Sequence, residues 1–533
     1  MLLLLFSLYA TAGSFQLAGR RHSPLIHRRH VQTNANVDVG TDYDRIQHLS
    51  YSAIAESDLS RKCEYLTELS ELCAQRRPFS FEDDVDGATT GSDSVISKLP
   101  NLLPSAVTRK IFDKVETMLQ KGWLSTNPDS VDGMPSFHLN LVSDGESIAN
   151  VRNPDDFHQE IQSMLNLVGP FIYDKLLPHV KAQLGTDTIE VSDIFIRRYG
   201  QDVLDGQSRN GISAHYDVFS RVTSVVALDN AAQEGRNGLF TTVKDTGTEG
   251  DTRTSNHAAL RRFFPLECGD AVVHTWDVLH GVDVEPGMDR TSVIVWFTEK
   301  ISNNDSNNAV SPWLVNHPKL ETDNVAQFVL ASALESAAPP ALENSGGSGG
   351  ATQSMHQQAE TSANPPLNGM QRAIELYLSS AARGNGFAMT RLGSLLEEGL
   401  LDEAALCRAQ NAVATLEAVQ PPDEDMQQWL VCDSSNHALT LARQFWYQAS
   451  LRGVPLAQVA LADELLMMDD KAPRDTAATL FGLAAQQGHE EALDSLARLI
   501  RWDMAQKGVS SREAYEASPV VQIARAATAH LAV

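Results

Sequence analysis

Between about residues 190 and 300 the hydrophobic positions fall into short, β-branched runs, at 191–199, 222–228, 238–243, 271–274 and 291–297. Glycine-led or polar turns separate them, among them Gly200, Arg236-Asn237-Gly238 and Gly269-Asp270. Runs of this length at regular spacing predict strands of a sandwich or barrel. Ahead of them, apolar residues recur at helical spacing over 106–121, and a shorter helical patch covers 58–76. The pattern then fades: Asn303 to Asn308 is polar, 343–358 is rich in Ser, Gly and Gln, and Pro365-Pro366 closes the stretch. This predicts a linker over 303–369 with one helix at 322–336.

From 370 onward the pattern is helical and repeats. Aligned on Gly384, Gly453 and Gly488, each copy carries an aromatic seven residues before the glycine (Tyr377, Trp446, Phe481). Alanine follows four residues after it (Ala388, Ala457, Ala492) and leucine eight after (Leu392, Leu461, Leu496). Glycine ends a helix, alanine lets helices approach, and the large residues fill the interface between stacked hairpins. The spacing predicts an all-α helical-repeat domain over 370–502, followed by a tail over 503–533. Arrays of this kind usually bind proteins, and no catalytic constellation is visible in this half.

The candidate chemistry lies among the predicted strands. His215-Tyr216-Asp217 is followed by His280 and then, ten residues on, by Arg290. Residues two apart on a strand share a face, so His215 and Asp217 can present an imidazole and a carboxylate to one point. His280 from a distant strand completes a two-His-one-carboxylate set, the ligand type that leaves positions open on Fe(II). His274 is a rival for that third place; the spacing to Arg290 and the following Gly281 favour His280. The planar fork of Arg290 suits a carboxylate. Iron plus a dicarboxylate points to a 2-oxoglutarate-dependent oxygenase. Arg197 and Arg198 are either further anion contacts or a solvated strand end.

The stretches Arg198-Tyr199-Gly200, His215-Tyr216-Asp217, Gly269-Asp270-Ala271, His280-Gly281-Val282 and Arg290-Thr291-Ser292-Val293 resemble the prolyl 4-hydroxylase-like branch of the 2-oxoglutarate/Fe(II)-dependent dioxygenases, over 95–302. The resemblance implies a double-stranded β-helix, or jelly roll, with flanking helices. It implies His215, Asp217 and His280 as metal ligands, and Arg290 with Tyr199 on the distal carboxylate of 2-oxoglutarate. No residue is assigned as catalytic beyond these. It further implies O₂ as co-substrate, ascorbate as a supporting reductant, and hydroxylation of a carbon of a peptide or protein, by family default a prolyl residue. Two departures put the substrate in question: Arg rather than the Lys of many members stands at 290, and Arg236-Asn237-Gly238-Leu239-Phe240-Thr241 replaces the customary Gly-Gly-Glu-Thr. The segment 370–502 resembles Sel-one-like repeats, relatives of the tetratricopeptide repeat. An alternative reading is a non-catalytic scaffold that uses the repeats beside a relic oxygenase domain.

Composition narrows the partners. With 42 Lys and Arg against 68 Asp and Glu, the formal charge is −26, which disfavours nucleic acid and anionic membranes. The five cysteines form no zinc or disulfide spacing; Cys63 and Cys73 are open to pairing in an oxidising compartment. Residues 1–12 read as a signal peptide, apolar through Leu2–Leu5 and ending in Ala10-Thr11-Ala12, too short to span a bilayer. Residues 13–94 form a basic, then acidic, extension. A secretory-pathway destination is expected, the alternative being an organelle reached by a bipartite signal. No stable membrane span is expected after signal removal.

Overall fold

The computed structural model describes residues 39–81, 95–129, 131–152, 155–204, 207–242, 257–285, 287–299, 310–337, 369–431, 436–467, 474–508 and 511–532. The expected signal peptide, the basic part of the extension, the Ser/Gly/Gln-rich stretch and Cys432 lie outside these residues.

The chain begins with helices α1 (Val39–Ala55) and α2 (Leu59–Ala74), then strands β1 (Arg77–Pro78) and β2 (Ile96–Leu99) and helix α3 (Ser105–Gln120). Strands β3 (Phe137–Ser143) and β4 (Glu146–Ser147) precede helix α4 (Asp156–Phe171), which runs through a π-helical turn into α5 (Leu177–Leu184). Then come β5 (Ile189–Leu204), β6 (Gln207–Arg209), β7 (Gly211–His215), β8 (Val222–Ala227), β9 (Gly238–Thr242), β10 (Arg261–Phe263), β11 (Ala271–Thr275), β12 (His280–Asp283) and β13 (Arg290–Glu299). The remainder is helical: α6 (Pro312–Val315), α7 (Asn324–Ala337), α8 (Gly369–Ala382), α9 (Gly386–Glu397), α10 (Glu403–Val419), α11 (Glu424–Leu430), α12 (His437–Leu451), α13 (Pro455–Met467), α14 (Arg474–Gln486), α15 (Glu490–Gln506), α16 (Arg512–Glu516) and α17 (Pro519–Ala527).

The β-branched runs pair into two sheets. One has the order β1-β10-β9-β12-β7; the other runs β2-β11-β8-β13-β5-β3-β4, with β6 beside β5. From β7 onward the chain passes back and forth between them, which is the winding of a jelly roll. Tyr199, Ile212, Val225, Leu239, Val272 and Val282 fill the space between the sheets. The outer face of the larger sheet is covered by α3, α4 and α5, through Ile111, Val115, Met164 and Val168 packed with Ile194, Ile196, Val293 and Val295. Each such side chain contributes about 1.5–3 kcal/mol relative to exposure. Strand β8 is therefore covered on both faces, so it reads as a continuous buried run rather than an alternating one.

The helices start where short polar side chains cap them. Asp58, Asp155, Asn385, Asp402, Asp423 and Asn436 each accept the N–H of the third residue on. The pairs α8–α9, α12–α13 and α14–α15 turn at Gly384, Gly453 and Gly488, whose φ values of 93°, 74° and 84° fall in the left-handed region. In each turn the residue after the glycine donates its N–H back to a carbonyl five residues earlier, from Asn385 to Ser380, Val454 to Ala449 and His489 to Ala484. This bond satisfies a carbonyl at the helix end.

The structure adds detail to three sequence readings. The segment 303–369 is not a linker throughout, because α7 docks its Val325, Val329 and Leu330 onto Ala214, Tyr216 and Phe240 of the jelly roll. The segment read as the tail, 503–533, is helical over most of its described residues. α15 crosses its start, and Val520, Val521 and Ile523 of α17 join a core with Leu66 and Leu69 of α2 and with Leu480 and Phe481 of α14. Cys63 and Cys73 are both free thiols. They lie ten residues apart on one helix, about 15 Å at 1.5 Å per residue, well beyond the reach of a disulfide.

The helical half and the jelly roll are joined by buried polar contacts. Arg261 donates to the carbonyl of Gln487 at 2.7 Å and to Asp283 Oδ2 at 2.9 Å. Gln486 donates to the carbonyl of Leu66 at 3.0 Å, which ties the N-terminal helix α2, rather than the jelly roll, to α14. A Cβ at Gly453 would meet the backbone N of His257 at 3.1 Å, so the α12–α13 turn rests directly on the jelly roll.

Candidate metal centre

His215 is the last residue of β7 and His280 the first of β12, and the two are cross-strand partners. Their rings lie 4.6 Å apart between centroids. Asp217 is not on the strand, as period-two reasoning would have it, but two residues past its end. Its own carbonyl accepts the N–H of Ser220, and its Oδ2 accepts the Thr223 hydroxyl at 2.5 Å. That turn brings the carboxylate back between the imidazoles, 3.7 Å from His215 Nε2 and 3.4 Å from His280 Nε2.

Both histidines are oriented from behind. His215 Nδ1 lies 2.8 Å from the carbonyl of Ser213, and His280 Nδ1 lies 3.1 Å from that of Val278. With the proton on Nδ1 donated to the backbone, each Nε2 lone pair faces the shared point, the arrangement usual for ligating histidines. Burial first, then the neighbouring His280, pushes His215 down to about 4, so it is a neutral donor at neutral pH. Burial opposes the charge on Asp217, but His280, His215, His274 and the Thr223 hydroxyl together hold its carboxyl below the ordinary value. Among the described residues, these three side chains form a group whose donor atoms all lie within 4.8 Å of one another. Two imidazoles and one carboxylate suit Fe(II) with open positions.

His274 is close by but differently placed. It sits on β11 with its ring 4.2 Å from that of His280, and its Nδ1 meets the carbonyl of Thr275. It stands behind His280 rather than in the group of three. Its Nε2 has no hydrogen-bond partner, and burial pushes it down to about 3.

Arg290 opens β13 directly opposite Tyr199 of β5. It is 1 % exposed, and none of its three guanidinium nitrogens has a hydrogen-bond partner. Burial lowers its pKa, while Asp229 and Tyr199 act in the other direction. A buried cation with a vacant fork is costly unless an anion joins it, so a carboxylate fits here. Space for the guanidinium is made by Gly238: a Cβ there would lie 1.9 Å from Arg290 Nη1, and the glycine's φ is 89°. Tyr199, Arg197, His215, Asp217 and His280 line one cavity of about 730 Å³ between the sheets.

Several functional positions carried no visible signal in the sequence. Thr223 sat within a β-branched run, and only its bond to Asp217 distinguishes it. Gly238 was noticed as a departure, but its role beside Arg290 appears only in three dimensions. Neither Arg197 nor Arg198 is a solvated strand end. Arg197 faces the cavity paired with Asp129, while Arg198, 7 % exposed, turns away to Glu116 and Asp289.

No family model matches the chain, and no curated protein does. Some solved structures are similar to part of the chain at low identity. One is the non-heme alpha ketoglutarate dependent epimerase SnoN from nogalamycin biosynthesis, at 12 % identity and TM-score 0.28, covering 43 % of this chain and 82 % of that one. Another is a Pseudomonas putida prolyl-4-hydroxylase, at 15 % and 0.25, covering 41 % and 97 %. A third is a Trichoplax adhaerens prolyl hydroxylase in complex with a hypoxia inducible factor peptide fragment, at 12 % and 0.28, covering 46 % and 96 %. Scores at this level leave the fold to rest on strand order and the site on its side chains.

Proposed function

We propose that this protein is an Fe(II)- and 2-oxoglutarate-dependent dioxygenase that hydroxylates a carbon of a peptide or protein, with a prolyl residue as the first substrate to try. The observation that carries the reading is the pairing of a His215–Asp217–His280 donor set with a buried Arg290 whose guanidinium has no partner. A metal site alone fits many reactions; a metal site in a cavity lined by Tyr199, with a buried vacant guanidinium on the strand position opposite that tyrosine, points to a dicarboxylate co-substrate.

In this reading His215, Asp217 and His280 hold the iron, and Arg290 with Tyr199 receives the distal carboxylate. When bound, iron, 2-oxoglutarate and O₂ supply the oxidant, with release of succinate and CO₂ and insertion of one oxygen atom into a C–H bond. The chain's own part is positioning. Ser213 and Val278 carbonyls fix the tautomers of the ligating histidines, Thr223 holds Asp217, and Gly238 leaves room for the guanidinium. Ile212, Val225 and Leu239 keep water away from the co-substrate's path. Ascorbate is expected to sustain turnover. The helix pairs beyond 369 are read as Sel-one-like repeats that engage a protein.

Succinate release tests this directly. With Fe(II), 2-oxoglutarate and O₂, the wild-type chain should release succinate, and prolyl peptides should increase the rate. Substituting Ala for His215, Asp217 or His280 should remove both metal binding and release. Absence of release from metal-loaded, folded protein across a range of peptides would favour the non-catalytic scaffold.

A further inference from the structure

The cavity that contains the candidate metal centre does not end at the mouth of the jelly roll. The same 730 Å³ space is bounded on its far side by helices α7, α9 and α13. Each helix turns one face to it. On α7 the lining residues are Phe328, Ser332 and Glu335; on α9 they are Phe387, Thr390, Arg391 and Ser394. These fall at spacings of three and four, the repeat of a single helix face. On α13 the face runs from Leu456 to Asp463.

Two features show that this wall is not simply packed core. Leu456 on α13 and Phe219 on the turn after Asp217 are 38 % and 52 % exposed, yet both border the cavity from opposite sides. Large apolar side chains left bare around a concave space mark a binding surface. In the same lining, Tyr216 and Ser292 are at least nine-tenths buried, and their hydroxyls have no hydrogen-bond partner.

Charge indicates what occupies the wall. Arg391 is neutralised by Glu335, at 2.9 Å, and by Glu398, at 3.0 Å. Asp463 remains. Among its lining residues the helical wall thus carries Glu335 and Asp463 against Arg391, a net negative charge at this end of the cavity; Glu464, next to Asp463, is paired with Arg443 at 3.0 Å. A cationic side chain suits it, and Phe387, also in the cavity lining, adds apolar surface.

We infer that the helical half forms the outer part of the substrate site and holds an extended basic peptide, with an apolar residue between Phe219 and Leu456 and a Lys or Arg at Asp463. The inference rests on the oxygenase reading only for which end of the peptide reacts. Peptide binding itself requires no turnover.

The test uses the full chain without metal or co-substrate. Fluorescein-labelled heptapeptides with a central Leu-Pro and one Lys or one Glu at each flanking position are titrated by fluorescence anisotropy. Lys-bearing peptides should bind about tenfold or more tightly than their Glu counterparts. Asp463→Lys should abolish or reverse that preference, and Leu456→Asp should weaken every peptide about tenfold. Glu513→Lys, the same charge change on an exposed carboxylate away from the cavity, should do neither; unchanged melting temperatures establish that the variants fold. Failure of every peptide to bind the wild type, or unaltered binding by Asp463→Lys and Leu456→Asp, overturns the inference. Wild-type succinate release is measured separately. Selective binding without release defeats the oxygenase reading alone; release without Asp463 and Leu456 effects defeats the helical wall alone.

Discussion

Replacing Arg290 by Met should move stability and co-substrate affinity in opposite directions. In the ligand-free protein the guanidinium is 1 % exposed with three unpartnered nitrogens. Each buried polar group left without a partner costs about 1–3 kcal/mol, and an apolar replacement of similar volume removes that cost. Asp229 offsets part of it electrostatically, which places the net gain near the lower end. We expect Arg290→Met to stabilise the free protein by about 1–2 kcal/mol, within the range seen when buried ions give way to apolar residues. Binding should suffer. Stranding the distal carboxylate of 2-oxoglutarate costs about 3–5 kcal/mol, a loss of a hundredfold to a few thousandfold in affinity. The assay is urea unfolding with Fe(II) under anaerobic conditions, with and without 2-oxoglutarate. At a hundred times its Kd the co-substrate should stabilise the wild type by about 2.7 kcal/mol and Arg290→Met not measurably, so the order of the two proteins reverses on adding it. A variant less stable than wild type when ligand-free, yet equally stabilised by 2-oxoglutarate, would refute the vacant-fork argument.

Gly238→Ala places a Cβ 1.9 Å from Arg290 Nη1 at a positive φ; it should weaken 2-oxoglutarate binding, leave Fe(II) binding in place, and cost about 1–2 kcal/mol in backbone strain, as read by titration and unfolding. His257 is buried with Nε2 unpartnered, and burial, then Arg261 and His530, pushes it down to about 3. The native state therefore binds fewer protons than the unfolded one between about pH 6.5 and 3, and stability falls as pH drops through that window by up to about 1.4 kcal/mol per unit. His257→Asn keeps an acceptor for the Ala259 N–H and should flatten that slope by up to one proton in acid unfolding curves. Gly393→Ala would set a methyl 2.2 Å from Trp446 Nε1, whose N–H bonds the carbonyl of Thr390. It should destabilise the α9–α12 contact by about 1–3 kcal/mol, seen as a lower melting temperature.

The site was more legible than its surroundings because its signals are local. His215 and Asp217 are two residues apart, and Arg290 follows His280 on the next strand. The strand runs stood out because β-branched residues cluster where both sheet faces are covered, as in β8. Period-two reasoning nevertheless misplaced Asp217, which belongs to a turn and depends on Thr223. Other contacts join residues too distant in sequence to leave a pattern. Tyr216 lies between two candidate ligands and packs on Phe328 and Phe387, with ring centroids 6.1 and 5.8 Å away. The polar and glycine-rich stretches around α7 suggested a linker, but composition says nothing about the apolar face that α7 lays on the jelly roll. The turn glycines at 384, 453 and 488 were visible because their positive φ restricts the residue type. Gly393 was not, since its small size answers to a tryptophan on another helix.

The union of α2 with the last helices has a consequence for the order of synthesis. Ser70 bonds His530 across 460 residues, and Leu66 and Leu69 share a core with α14 and α17. A ribosome adding about 5–20 residues per second needs roughly 20–90 s to travel from one partner to the other. Throughout that interval the apolar face of α2 has emerged and its permanent cover has not yet been made. A nascent chain in this condition is a natural client for chaperones, and its early helices must wait, unpaired or transiently mispaired, until the residues around His530 have been made.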